Sequence, residues 1–281
     1  MPGGRHLGMC YYEVMDVVFD VGGSKTRVGV RREPGKIDEI AEAKTEGDYK
    51  SGVKTLVDLG LKLANGELIE RAAGGVAGMW NSDKSELLRS PNLSGWEHKP
   101  IKKDLEKAWR TRLTLENDAA LGAVGEAVYG AGVEERIVAY LAIGTGVGGA
   151  RVVDKRIDAN VFGYEPGQQI VQIPGKTLED LIGGRSIEVR FGKRPEEMDD
   201  KAVWQEWLGN LAAGIINITL MWSPGLVVLG GAMADRVDWG SLRVEVSKRL
   251  KMTPWVPKIV KARLGHRAGL WGGLARLEQE R

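Results

Sequence analysis

Apolar positions along this chain fall into two rhythms. Val17-Val18-Phe19 is an unbroken run, the mark of a buried strand, while Thr26, Val28 and Val30 alternate with polar residues as a strand with one buried face does. The pattern predicts strands over 15–32 folded as a hairpin, a strand over 37–45, a helix over 49–64, and strands over 71–77 and 111–117. A second series follows. It comprises a helix over 119–129, strands over 136–143 and 148–154, helices over 177–191 and 200–222, a strand over 226–230, and helices over 240–250 and 267–279. Alternating strands and helices mean a mixed α/β fold, and the two series read as two lobes that share one plan. The most apolar stretch, 208–234, contains Asn210, Asn217, Ser223 and Pro224. Trp204, Leu208, Leu211, Ile215 and Ile218 stand at helical spacing, so a buried helix followed by a strand fits better than a membrane span. Trp204 and Trp207 then read as core residues.

Glycine interrupts the apolar pattern at two places that carry chemistry. Asp20-Val21-Gly22-Gly23-Ser24-Lys25-Thr26 joins the first two strands, and Gly144-Thr145-Gly146-Val147-Gly148-Gly149 joins a later pair. Glycine lets a ligand approach the backbone closely, so such a turn can direct several N–H groups at phosphate oxygens. Neither turn leads from strand to helix, as Walker-type and dinucleotide-binding turns do. Strand-turn-strand clamps on a nucleotide tail are the better description. Asp20 beside phosphates would repel them unless a divalent cation intervened, and Mg2+ is the natural one. For either turn alone, an ordinary glycine hairpin remains an equal reading; two in matched context favour nucleotide binding. Between them, Thr114-Leu115-Glu116-Asn117-Asp118-Ala119 runs from strand into helix. Asp118 is a candidate base for phosphoryl transfer, or else simply the cap of the helix that follows.

In these segments and several others the chain resembles the ROK family of sugar kinases and repressors, within the actin-like, hexokinase-like ATPase superfamily. The resemblance is carried by both glycine turns, Gly75-Val76-Ala77-Gly78, Pro91-Asn92-Leu93-Ser94-Gly95-Trp96, and Glu116-Asn117-Asp118-Ala119. It continues through Gly163-Tyr164-Glu165-Pro166-Gly167-Gln168, Thr177-Leu178-Glu179 with Gly183-Gly184, Val227-Val228-Leu229-Gly230-Gly231-Ala232, and Ala268 to Ala275. It implies a two-lobed actin-like (ribonuclease H-like) fold with a central cleft: a small lobe over 12–118, joined by the closing helix 265–281, and a large lobe over 119–264. It further implies ATP-dependent phosphorylation of a hexose at its 6-hydroxyl, as a glucokinase or hexokinase does, with Asp118 as base. Asn92, Asn117, Asp118, Glu165, Gln168, Glu179 and Gly78 would bind the sugar. Asp20, with Gly22, Gly23, Ser24, Lys25 and Thr26, would bind Mg-ATP. So would Gly144, Thr145, Gly146, Gly148 and Gly149, and Gly230, Gly231 and Ala232 would leave room for adenosine. Without the resemblance, Glu165 and Glu179 read as solvated loop carboxylates. Kinases for amino or N-acetylated hexoses, and a catalytically silent sugar sensor, are the alternatives.

The chain departs from the family pattern at Gln168, where the family carries a His that also ligates zinc. The cysteines that complete that site are missing, since Cys10 is the one cysteine. A tetrahedral zinc site cannot be built from Gln168 without thiolates, so no zinc is expected. The segment Ile170-Val171-Gln172-Ile173-Pro174 is expected to pack that loop by apolar contact instead. Gly78-Met79-Trp80 departs from the family's Gly-Pro element, altering the rim of the sugar pocket. With 281 residues, 43% of them apolar, the chain can bury a core large enough to split in two. A net charge of +2 with scattered basic residues suggests no nucleic-acid surface. Nineteen residues before Asp20 leave no room for a helix-turn-helix. A lone cysteine and no apolar leader point to the cytoplasm. The glycine-bearing stretch before Met15 reads as a disordered tail or a misassigned start. The resemblance is compatible with a homodimer.

Overall fold

The computed structural model describes residues 14–280. The expectations for Cys10 and for the stretch before Met15 fall largely outside those residues. The first half contains β1 (Val14–Val21), β2 (Lys25–Arg31), β3 (Glu39–Lys44), α1 (Tyr49–Ala64), β4 (Leu68–Val76), β5 (Met79–Trp80), β6 (Leu87–Arg89), α2 (Ile101–Trp109) and β7 (Arg112–Glu116). The second half begins with α3 (Asp118–Tyr129), β8 (Ile137–Ile143), β9 (Val147–Val153), β10 (Arg156–Ile157), β11 (Ile170–Gln172) and β12 (Lys176–Thr177). It ends with α4 (Leu178–Ile182), α5 (Gly184–Phe191), α6 (Lys201–Trp222), β13 (Leu226–Gly230), α7 (Trp239–Arg249), β14 (Lys258–Lys261) and α8 (Ala268–Gln279).

Two five-stranded sheets follow one plan, β3-β2-β1-β4-β7 and β10-β9-β8-β13-β14. In each, an antiparallel hairpin supplies the central strand, which then pairs in parallel with strands from later in the chain. This is the two-lobed actin-like ATPase fold expected from the sequence. Val17, Val18 and Phe19 form a continuous apolar run because the first sheet is covered on both faces. Phe19 meets Trp109 of α2 edge to face at 5.6 Å, whereas Val18 and Ala73 meet Leu270, Leu274 and Leu277 of α8. The helix that closes the first sheet therefore comes from the end of the second half. Conversely α3, which follows the last strand of the first sheet, packs on β8 and β9. The two helices press together so closely that a Cβ on Gly272 would lie 1.9 Å from the Leu121 carbonyl oxygen.

Several sequence expectations need correction. Helix α2 and strand β14 were not anticipated, and the helix over 177–191 is two, because Gly183 adopts an extended conformation (φ −63°, ψ 147°) between α4 and α5. The 170–174 segment does not pack by apolar contact: Ile170 and Ile173 are 60% and 90% exposed. It forms the β11–β12 hairpin, held by Gln172 Nε2 donating to Asn210 Oδ1 at 3.0 Å, and only Val171 of its apolar residues packs on the core. Trp207 is buried, donating Nε1–H to the Ile182 carbonyl at 2.8 Å, and Trp204 packs edge to face on it.

Candidate active site

Strands β1, β4 and β7 of one sheet and β8 and β13 of the other all end toward a cleft of about 770 Å3. Ligands of open α/β sheets bind outside such strand ends, where the connections diverge. The two glycine turns stand in corresponding places of the two sheets, and both reach the cleft wall. In the first, Gly22 N–H closes the turn onto the Lys25 carbonyl at 3.0 Å. In the second, Gly144 N–H donates to the Gly146 carbonyl at 2.9 Å. The Gly144 and Thr145 carbonyls are taken up by N–H groups at the start of α5, from Gly184 at 2.7 Å and Arg185 at 3.0 Å. Among the described residues, the N–H groups of Gly23, Ser24, Thr145 and Gly146 have no acceptor. Two pairs of backbone donors on a cleft wall are suited to polyphosphate oxygens.

Of the other expected nucleotide residues, two line the cleft and the rest do not. Lys25 is exposed, and its ammonium pairs with Glu42 at 3.1 Å. Thr26 is buried, its hydroxyl 3.0 Å from that of Thr45, which donates to the Gly22 carbonyl at 2.8 Å; it braces the turn from within. Gly148 and Gly231 are on the cleft wall, Gly231 with φ +80°. Gly149, expected in the phosphate turn, and Gly230, expected to leave room for adenosine, both pack on Tyr140: a Cβ would sit 2.2 Å from its carbonyl oxygen and 2.4 Å from its hydroxyl, respectively. Ala232 is exposed at the start of a short 3-10 turn, off the cleft wall.

Asp118 is the first residue of α3, but the cap is Asn117, whose Oδ1 accepts Ala120 N–H at 3.0 Å. The capping task is thus taken, and Asp118 presents its carboxyl to the cleft. Burial pushes its pKa up to about 6, against the pull of the Ala119 N–H and its own. Asp20, under Gly269 of α8, is pushed up to about 7 by burial and by the charge of Asp118, while Arg27, 3.8 Å away, opposes the rise. Glu165 rises to about 7 because surrounding protein strips water from it and Glu179 and Asp118 repel its charge. Glu179 accepts Val147 N–H at 2.7 Å, joining the second turn to α4, and Gln168 Nε2 donates to it at 3.3 Å. Asn117 Nδ2 donates to the Gly78 carbonyl at 2.9 Å, leaving one N–H for a ligand. Asn92 is exposed against Gly23, where a Cβ would come within 2.9 Å of it. Arg89 and Arg185 also line the cleft; sequence reading missed both, because a single cation carries no spacing signature.

Among the described residues, no three His, Cys, Asp or Glu side chains gather as a metal cage. A half-buried carboxylate with one distant cationic partner, beside phosphate-type donors, suits Mg2+, which binds through few carboxylates and keeps phosphate and water ligands. No helix among the described residues is long and apolar enough to cross a membrane.

The sequence model described as "ROK family" matches residues 17–280. A glucokinase of Streptomyces coelicolor is 24% identical, over 92% of this chain and 96% of that protein. An N-acetyl-D-glucosamine kinase of Photobacterium profundum is 28% identical, over 90% and 96%. Among solved structures, a Streptomyces griseus glucokinase in complex with glucose and AMPPNP superposes with a TM-score of 0.79 at 23% identity, covering 95% of this chain and all of that one.

Proposed function

From a chain that belongs to the ROK family, and whose cleft opposes four unpaired backbone N–H groups to one recessed aspartate, we propose an ATP-dependent hexose kinase acting at the 6-hydroxyl. The observation that carries the reading is the position of Asp118 at the start of α3, released from capping by Asn117 and lining the same cleft as both glycine turns.

In this mechanism the acceptor hydroxyl lies against Asp118, which takes its proton as the oxygen attacks the γ-phosphorus. The bond from that phosphorus to the β,γ-bridging oxygen breaks in line, and ADP leaves with the electron pair. The N–H groups of Gly23, Ser24, Thr145 and Gly146 neutralise charge on the phosphoryl oxygens. Asp20 would hold Mg2+, which supplies further neutralisation when bound with the nucleotide. With a pKa near 6, Asp118 is ionised at neutral pH and still basic enough to accept a proton. Asn117, Glu165, Gln168 and Glu179, with Asn92 and the Gly78 backbone, fix the sugar. Two carboxylates and two amides can satisfy several hydroxyls at once, which disfavours water as acceptor.

The experiment is ADP release with Mg-ATP over glucose, mannose, fructose, glucosamine and both common N-acetylhexosamines, because relatives carry the names of both acceptor classes. Turnover on glucose or a neighbour, with 6-phosphate as product, supports the reading. Silence on every sugar, with ATP bound, would turn it toward a sensor.

A further inference from the structure

We infer that Lys84, through its ion pair with Glu116, is a positioning residue that registers the acceptor-side wall of the cleft against Asp118. The inference rests on the sugar-kinase reading for its kinetic consequence.

Lysine is ordinarily solvated. Here only 18% of the Lys84 side chain is exposed, and 12% of that of Glu116, with Nζ 3.0 Å from Oε1. The same Glu116 oxygen accepts Asn117 N–H at 2.9 Å. Lys84 belongs to the turn between β5 and β6, and that turn is internally braced. Asn81 Oδ1 accepts Ser85 N–H and Glu86 N–H, each at 3.0 Å, and Lys84 N–H donates to the Asn81 carbonyl at 3.1 Å. Lys84 itself has φ +57°, an uncommon conformation for a residue with a side chain. The hairpin carries Met79 and Arg89 on the cleft wall, and at its base the Gly78 carbonyl accepts from Asn117.

A closed circuit results. The tip of the hairpin is tied to Glu116 and its base to Asn117, and the next residue is Asp118. An exposed ion pair contributes little, but this one is largely withdrawn from water and shares its oxygen with the amide adjoining the proposed base. Without the ammonium, Glu116 keeps a buried charge supported by a single N–H, and such a group turns toward water. Its release frees the tip of the hairpin and loosens the Asn117 amide, so the wall that bounds the acceptor loses register with Asp118. The four phosphate-facing N–H groups belong to other turns and are untouched.

The test is Lys84→Met and Lys84→Arg in the intact protein, with KM for the best acceptor and for Mg-ATP read from ADP release, and hydrogen exchange followed by mass spectrometry. In Lys84→Met the acceptor KM should rise about tenfold or more with KM for ATP within twofold, exchange over 79–90 should quicken while 144–149 is unchanged, and Lys84→Arg should recover most of the loss. An unchanged acceptor KM, equal changes in both KM values, or no recovery with arginine would overturn the assignment. If the wild-type protein phosphorylates none of the sugars, the kinase reading has failed; hydrogen exchange then decides for Lys84, and unaltered exchange over 79–90 rejects the latch. If Lys84→Met does not fold, Glu116→Gln, which weakens the same pair, takes its place under the same criteria.

Discussion

Replacing Asp118 by Asn should remove most of the turnover and make the protein more stable. Burial raises this carboxyl from its ordinary 3.8 to about 6, which at about 1.4 kcal/mol per pH unit is a cost of about 3 kcal/mol for keeping it ionised in the folded chain. Because Asp118 is only half-buried, screening by water trims the figure to about 2 kcal/mol. Between pH 4 and pH 6 the folded state holds more protons at this site than the unfolded one, so stability falls as pH rises through that window and stays lowered above it. Asn has no charge to bury, and its Oδ1 can still accept the N–H of Ala119. Scanning calorimetry without nucleotide should show Asp118→Asn melting about 4 °C above wild type at pH 8, an advantage that shrinks toward pH 4. The kcat of the same variant should fall by about 10^2 to 10^4 if Asp118 is the base. Equal melting temperatures at pH 8, a pH-independent difference, or kcat within tenfold of wild type would refute the reasoning.

The kcat/KM for the acceptor at saturating Mg2+ should fall as pH drops, first through about pH 7 as Glu165 takes a proton and then more steeply below pH 6 as Asp118 does; a profile flat to pH 5 would exclude Asp118 as the titrating base. Gly146→Ala puts a Cβ 2.4 Å from Glu179 Oε2, so the carboxylate must leave the Val147 amide, and steady-state kinetics should show KM rising for nucleotide and sugar together, about tenfold each. Asn117→Ala loses the α3 cap and should lower unfolding stability by about 1 kcal/mol in urea titrations while raising the acceptor KM. Elemental analysis of the purified protein should find no stoichiometric zinc, because Gln168 is a poor metal ligand and the chain has a single cysteine; one tightly held zinc per chain would contradict this.

What was legible in the sequence was local. The glycine turns announced themselves because each sits between strands whose own alternation is unmistakable, and Glu116-Asn117-Asp118 stood out as polar residues where a strand gives way to a helix. Helix α2 escaped because only Ile101, Leu105 and Trp109 of its nine residues are buried, a stripe one residue wide among lysines and acids. Strand β14 is four residues, and its burial is conferred by its neighbour β13 rather than by its own pattern. In the site, the division of labour between Asn117 as cap and Asp118 as free carboxyl could be decided only by one hydrogen bond. The job of Gly230 depends on Tyr140, and the Lys84–Glu116 pair joins residues from different elements. None of these contacts leaves a trace in sequence spacing.

The exchange of helices between the two sheets bears on how the chain acquires its shape during synthesis. Leu270, which covers Val18, follows it by 252 positions. Domains generally fold in turn as they leave the ribosome, but here the first sheet waits with one apolar face bare until the second half has been made. Its strands are therefore exposed longest to other chains in a crowded translation environment. A fragment ending before residue 265 should aggregate rather than behave as an independent lobe.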